Sequence, residues 1–106
     1  MAKDDYFVIA YKILKYLYEC LKQGKQPDMG VLDADFFSVG SQYWGYIIRN
    51  LHEEGYLAGV AVLDGGFAGI RPDVEITPKG IQYLEENSMF RKVKETIKDI
   101  REIMPI

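Results

Sequence analysis

Apolar residues recur at helical spacing through the first quarter of the chain. Tyr6, Ala10, Ile13, Leu14, Leu17 and Leu21 share one side of a helix from about Asp5 to Gln23, with Lys12, Lys15 and Lys22 between them. Gly24 is placed to end that helix in a left-handed conformation. After Pro27, the run Val31 to Phe37 is short, and Asp33 near its centre fits the cap of a short helix. A third helical pattern follows Gly40-Ser41. Ser41 is expected to cap residues 42–54, with Trp44, Ile47, Ile48 and Leu51 inward and Gly55 as the stop.

The period then shortens. Residues 56–63 and 72–76 are rich in β-branched and aromatic side chains and read as two strands of a hairpin. Asp64-Gly65-Gly66 marks the turn, and the hairpin tip also takes in Gly69 and Arg71. At Thr77-Pro78 the strand gives way at once to a helix, because Thr suits the cap and Pro the first helical position. Ile81, Leu84 and Tyr83 face inward there, and Gly80 lets this first turn lie close to its neighbours. Lys79 fits poorly, since a cation at a helix start opposes the helix dipole. Asn87-Ser88 ends this helix and opens another, in which Phe90, Val93, Ile97, Ile100 and Met104 follow at intervals of 3, 4, 3 and 4. That seam fits either packing on the first helix of the same chain or a homodimer through residues 89–104.

Helix, short helix, helix, hairpin and further helices define an α+β chain, mainly α, in a single domain over residues 1–106. The order is that of a winged helix-turn-helix with a two-stranded wing and additional C-terminal helices. Residues 41–54 hold the recognition-helix position and residues 64–72 the wing. A helix-turn-helix bundle without a wing is the competing plan, and the two strand signals favour the winged one.

Two passages carry a resemblance. "LHEEGYL" at 51–57 resembles the passage from recognition helix into wing strand of many winged-helix regulators, including the MarR-like and PadR-like groups. "ITPKGIQYLEEN" at 76–87 resembles the segment that follows the wing in the same superfamily. Together with "VKETIKDIREIM" at 93–104, they make the chain similar to the YjcQ-like family of small winged-helix proteins from Gram-positive bacteria and their prophages. The resemblance covers most of the chain and implies architecture and a prophage-type setting. It supplies no catalytic site.

Charge changes the functional picture. The net charge of −3 is unevenly spread: residues 1–25 carry five lysines against three carboxylates, a net +2. Residues 26–75 carry two arginines against eight carboxylates, a net −6, and residues 76–106 carry six cations against five carboxylates, a net +1. If residues 41–54 enter a major groove, Gln42, Arg49 and Asn50 suit base edges, Tyr43 and Tyr46 suit phosphate or thymine methyls, and Arg71 is the wing contact. The acidic middle repels phosphate, which weighs against DNA. The same residues also read as a protein contact. Tyr43 and Tyr46 are aromatics on the presumed outer face beside Gly45, whose presence in a helix costs roughly 1 kcal/mol against Ala and suggests a close neighbour. The plainer alternatives are a solvated helix face and a glycine that accommodates the domain's own aromatics.

Catalysis finds little support. His52 is the only histidine and lacks the second histidine of a zinc-protease helix. Asp33 and Asp35 lack the further ligands of a calcium loop, and the glycines at 65–69 lack the Lys-Ser/Thr of a phosphate loop. Cys20 is the only cysteine, so an internal disulfide is excluded, and its place in an amphipathic stretch predicts a buried thiol. No cofactor is expected. Residues 1–5 lack a signal-peptide core and no apolar run approaches the ~20 residues of a membrane span, so the cytoplasm is the expected location.

Overall fold

A computed structural model describes residues 5–62 and 68–87. They form three helices and a two-stranded antiparallel sheet, in the order α1 (Tyr6–Gln23), α2 (Ser41–Glu53), β1 (Leu57–Val62), β2 (Ala68–Ile76) and α3 (Pro78–Glu86). The described architecture is therefore α+β and mainly helical. The expected hairpin turn at Asp64-Gly66 and the apolar seam of residues 90–104 lie outside the described residues.

α1 is the central helix. Ile9, Ile13, Leu14 and Leu17 are fully or almost fully buried, and they meet Ile47, Ile48 and Leu51 of α2, Leu57 and Val60 of β1, Val74 and Ile76 of β2, and Leu84 of α3 in one core. Because α1 is covered on most of its circumference, a single apolar stripe describes it badly. Leu21, expected inside, is 48% exposed. Lys12, expected on the polar face, is only 2% exposed and is engaged by a partner. Cys20 is buried as expected.

Both long helices end in the same way. Gly24 (φ 66°) turns left-handed, its N–H reaches Leu21 O at 3.2 Å, and the Lys25 N–H reaches Cys20 O at 3.0 Å. Gly55 (φ 84°) repeats the pattern with bonds to His52 O and Leu51 O. The start of α2 departs from expectation. Gly40 holds the cap position, Ser41 is the first helical residue, and no side chain caps this end. The predicted short helix at Asp33 is reduced to one helical turn. The Asp33 carboxylate accepts from the Asp35 N–H, and Ser38 (φ 58°) closes the turn with bonds from Ser38 N–H and Val39 N–H to the carbonyls of Asp35 and Ala34.

β2 begins before the predicted Pro72. Leu57 and Ala58 pair with Ile76 and Glu75, whereas Val60, Ala61 and Val62 pair with Ile70, Gly69 and Ala68. The residues between them on β2 bulge opposite Gly59, and this irregular stretch accommodates Pro72, which has no N–H for a ladder. Gly59 (φ 84°) approaches so closely that a Cβ would lie 2.7 Å from Val74 Cα. Gly69 and Arg71 consequently belong to β2 rather than to the tip of a loop. No helix among the described residues is long and apolar enough to cross a membrane.

α3 starts as predicted. Pro78 takes the first helical position, and the Gly80 N–H donates to Thr77 Oγ1 at 3.1 Å. The Thr77 hydroxyl donates to Gly55 O and its N–H to Tyr56 O, tying the end of α2 to the start of α3.

Candidate functional site

α2 turns Ile47, Ile48 and Leu51 into the core, which leaves Gln42, Tyr46 and Glu53 exposed and Arg49 and Asn50 half-buried. Tyr46 is 51% exposed, and the Arg49 guanidinium carbon lies 5.6 Å from the centre of its ring. The Asn50 amide donates to the Tyr46 carbonyl at 2.8 Å, an attachment to its own helix. Tyr43 departs from the expected outer face: it is half-buried and packs against the core. Arg71 stands on β2 and pairs with Asp73 at 3.1 Å, with both side chains well exposed, so the pair is weak but local neutralisation is built in. Of the six predicted contact residues, the structure brings Arg49 and Asn50 to Tyr46, Arg49 at its ring and Asn50 at its backbone carbonyl.

The sequence pattern hid the rest of this surface. Tyr6, at the first turn of α1, meets Tyr46 edge-on at 6.0 Å between ring centres and Phe7 edge-on at 5.0 Å. Phe7 is 59% exposed, although it is among the largest apolar residues of α1. Tyr56 and Tyr83 sit 4.8 Å apart, and the Lys79 ammonium lies 5.7 Å from the Tyr56 ring centre. That contact gives Lys79 a reason to be at the start of a helix, where the dipole alone disfavours it.

Electrostatics tie these groups together. The Tyr6 phenol is pushed up to about 12, first by burial and then by Tyr46 and Tyr83, with smaller contributions from Glu54 and Tyr56. Tyr83 is raised for the same leading reason, with Tyr56 second. Tyr6 thus stays a neutral hydroxyl between two tyrosine groups, and the surface combines phenyl and phenol area with Arg49 and Lys79. A signal was available in the adjacent aromatics Tyr6-Phe7, since both cannot share the buried face of one helix turn.

This surface has the composition of a contact site. Aromatic rings and arginine are enriched where proteins bind, and rings fixed by one another lose little freedom on docking. His52 is turned to the fold, its Nδ1 3.4 Å from the Leu57 carbonyl oxygen. Among the described residues, no group of three or more His, Cys, Asp or Glu side chains is placed to hold a metal ion.

The family model for the YjcQ protein matches residues 11–103, nearly the whole chain. The chain belongs to the YjcQ family. A relative in Bacillus subtilis strain 168, "Uncharacterized protein YjcQ", is 31% identical over 102 residues, covering 96% of this chain and 97% of the relative. No solved structure matches significantly. In the YjcQ frame, the match includes α2, both strands and α3, and it begins at Tyr11, after the Tyr6-Phe7 pair.

Proposed function

We propose that this YjcQ family chain is a cytoplasmic winged helix-turn-helix binding domain that works without catalysis or cofactor, and that its main partner is a protein. The order α1, helical turn, α2, antiparallel strands, α3 supports the winged-helix reading, with α2 in the recognition-helix position. The observation that carries the choice of partner is the aromatic surface made by exposed Phe7 and Tyr46, bridged by half-buried Tyr6, with Arg49 stacked on Tyr46. Such a surface offers rigid apolar area and few free phosphate-binding cations.

DNA is the second reading, that of a prophage-type regulator. The exposed Gln42 at the start of α2 and the place of that helix before the sheet favour it. The net −6 of residues 26–75 and the Arg71–Asp73 pair oppose it. Self-association through residues 89–104 is compatible with both readings.

Co-purification from the native host separates them. A specific protein should be retained by the wild type and by Gln42→Ala but lost by Phe7→Ala and Tyr46→Ala, with the melting temperature nearly unchanged. Salt-sensitive binding to duplex DNA that Gln42→Ala or Arg49→Ala weakens would replace the protein reading with the DNA one. Failure to retain any protein and to bind any duplex at low salt would refute both.

A further inference from the structure

A second site lies at the other end of α1. Between Leu17, Cys20 and Val74 the core opens into a cleft of about 220 Å³. That is smaller than the roughly 300–1,000 Å³ of pockets for drug-sized ligands, so nucleotides and large cofactors are too big for it. Its floor is apolar and buried. Its two sides carry opposite charges: Lys25, just past the end of α1, and Glu75 of β2.

These two charges are not used by the fold. Among the described residues, the side chains of Lys25 and Glu75 form no ion pair or hydrogen bond with each other or with a third group. Asp73, on the same rim, is weakly paired with Arg71, whereas the Glu75 carboxylate has no partner among the described residues. Both walls are fixed by the backbone. The Lys25 N–H bonds to Cys20 O at 3.0 Å, the Asp28 N–H bonds to the Tyr16 hydroxyl at 2.9 Å, and Glu75 is paired with Ala58.

We propose that this cleft binds a small zwitterion, an apolar α-amino acid. The side chain fills the apolar floor, the carboxylate meets Lys25, and the ammonium group meets Glu75. An exposed cation and an exposed anion, carried on backbone that is held in place beside an apolar floor, complement that ligand class in both charge and size. A purely apolar ligand would leave both charges unused, and a long cationic one would bring its charge against Lys25. The cleft is separated from Phe7 by most of the length of α1, about 21 Å from Phe7 to Leu21 at the helical rise, so it is independent of the aromatic surface.

The test is a titration of the full chain with L-leucine and L-phenylalanine, followed by amide NMR and by the rate of Cys20 alkylation. Saturable shifts centred on Lys25, Val74 and Glu75 are expected, together with slower alkylation of Cys20. N-acetyl-leucinamide, which lacks both charges, should not bind. Lys25→Gln and Glu75→Gln should each weaken binding about tenfold, the value of one charge-assisted hydrogen bond at an exposed site, while leaving the fold intact. No saturable response to either amino acid would overturn the proposal. Equal binding of the uncharged derivative, or unchanged affinity in both variants, would do so as well.

Discussion

Replacing Gly80 by alanine sets two physical effects against each other at the start of α3. Alanine is the better helix former, and at an unconstrained helical position the change stabilises by roughly 1 kcal/mol. At Gly80, however, an added Cβ would lie 2.6 Å from the Tyr56 carbonyl oxygen and 2.7 Å from Ile76 Cγ1. The carbonyl is not free to retreat, because it accepts the Thr77 N–H at 3.0 Å and the preceding Gly55 carbonyl accepts the Thr77 hydroxyl. Relief therefore requires α3 to move away from the end of α2. That movement strains or breaks the cap bond from the Gly80 N–H to Thr77, worth about 1 kcal/mol, on top of an overpacking cost of about 1–3 kcal/mol. The net expectation is a loss of about 2 kcal/mol, or a fall in melting temperature on the order of 10 °C for a domain of this size.

Urea unfolding followed by far-ultraviolet circular dichroism and by Trp44 fluorescence measures this loss. The midpoint should fall while the slope stays the same. Gly69→Ala is the control: Gly69 has nothing within 4 Å of an added Cβ and no positive φ, so alanine there should change stability by less than about 0.5 kcal/mol. A Gly80→Ala protein as stable as the wild type, or more stable, would refute the reasoning, since helix propensity alone would then account for the result.

Gly59→Ala should be harsher still, costing about 3 kcal/mol or more by the same assay, because a positive φ of 84° adds to an approach of 2.7 Å from backbone Val74 Cα. Glu19 is held below the ordinary carboxylate value of 4.5, chiefly by the hydrogen bond from Lys22 and also by Lys15. Its stabilisation is full above that value and lost as pH falls through the lower folded one, so Glu19→Gln should flatten the acid limb of a stability–pH curve. The Tyr6 phenol, raised from 10.0 to about 12, runs the other way: its contribution is intact below pH 10 and lost as pH climbs toward about 12. Phenolate absorbance should show late-titrating tyrosines, Tyr83 among them, and one fewer of them in Tyr6→Phe.

What the sequence disclosed was mostly local. Gly24, Gly55 and the Thr77-Pro78 start were readable because each satisfies backbone groups within a few residues of itself. The mainly helical α+β composition followed from the change of period after Gly55. Features set by distant chain were not readable. Leu21 and Lys12 exchanged their expected environments because α1 is covered on most sides, which erases the contrast a single stripe needs. Pro72 suggested a strand start, yet the bulge opposite Gly59 carries β2 through it. At the candidate surface, Tyr46, Arg49 and Asn50 were found from their common helix face. Phe7, Tyr6, Tyr56 and Tyr83 were missed because three separate elements bring them together.

Two choices in the sequence run against local helix preference and meet at one place. Gly80 weakens the first turn of α3, and Lys79 opposes its dipole. Both become intelligible from contacts with Tyr56: its carbonyl leaves no room for a Cβ at Gly80, and its ring receives the Lys79 ammonium. Tyr56 in turn stacks near Tyr83 and contributes to the field felt by Tyr6. The close approach of α3 to the end of α2 therefore does more than close the core. It holds Lys79 over the Tyr56 ring, which lies against Tyr83, so that a cation stands on this tyrosine pair as Arg49 stands on Tyr46. Local rules broken without a compensating core contact are expected at functional surfaces. Lys79 fits that description better than Gly80, whose conflict is resolved inside the fold.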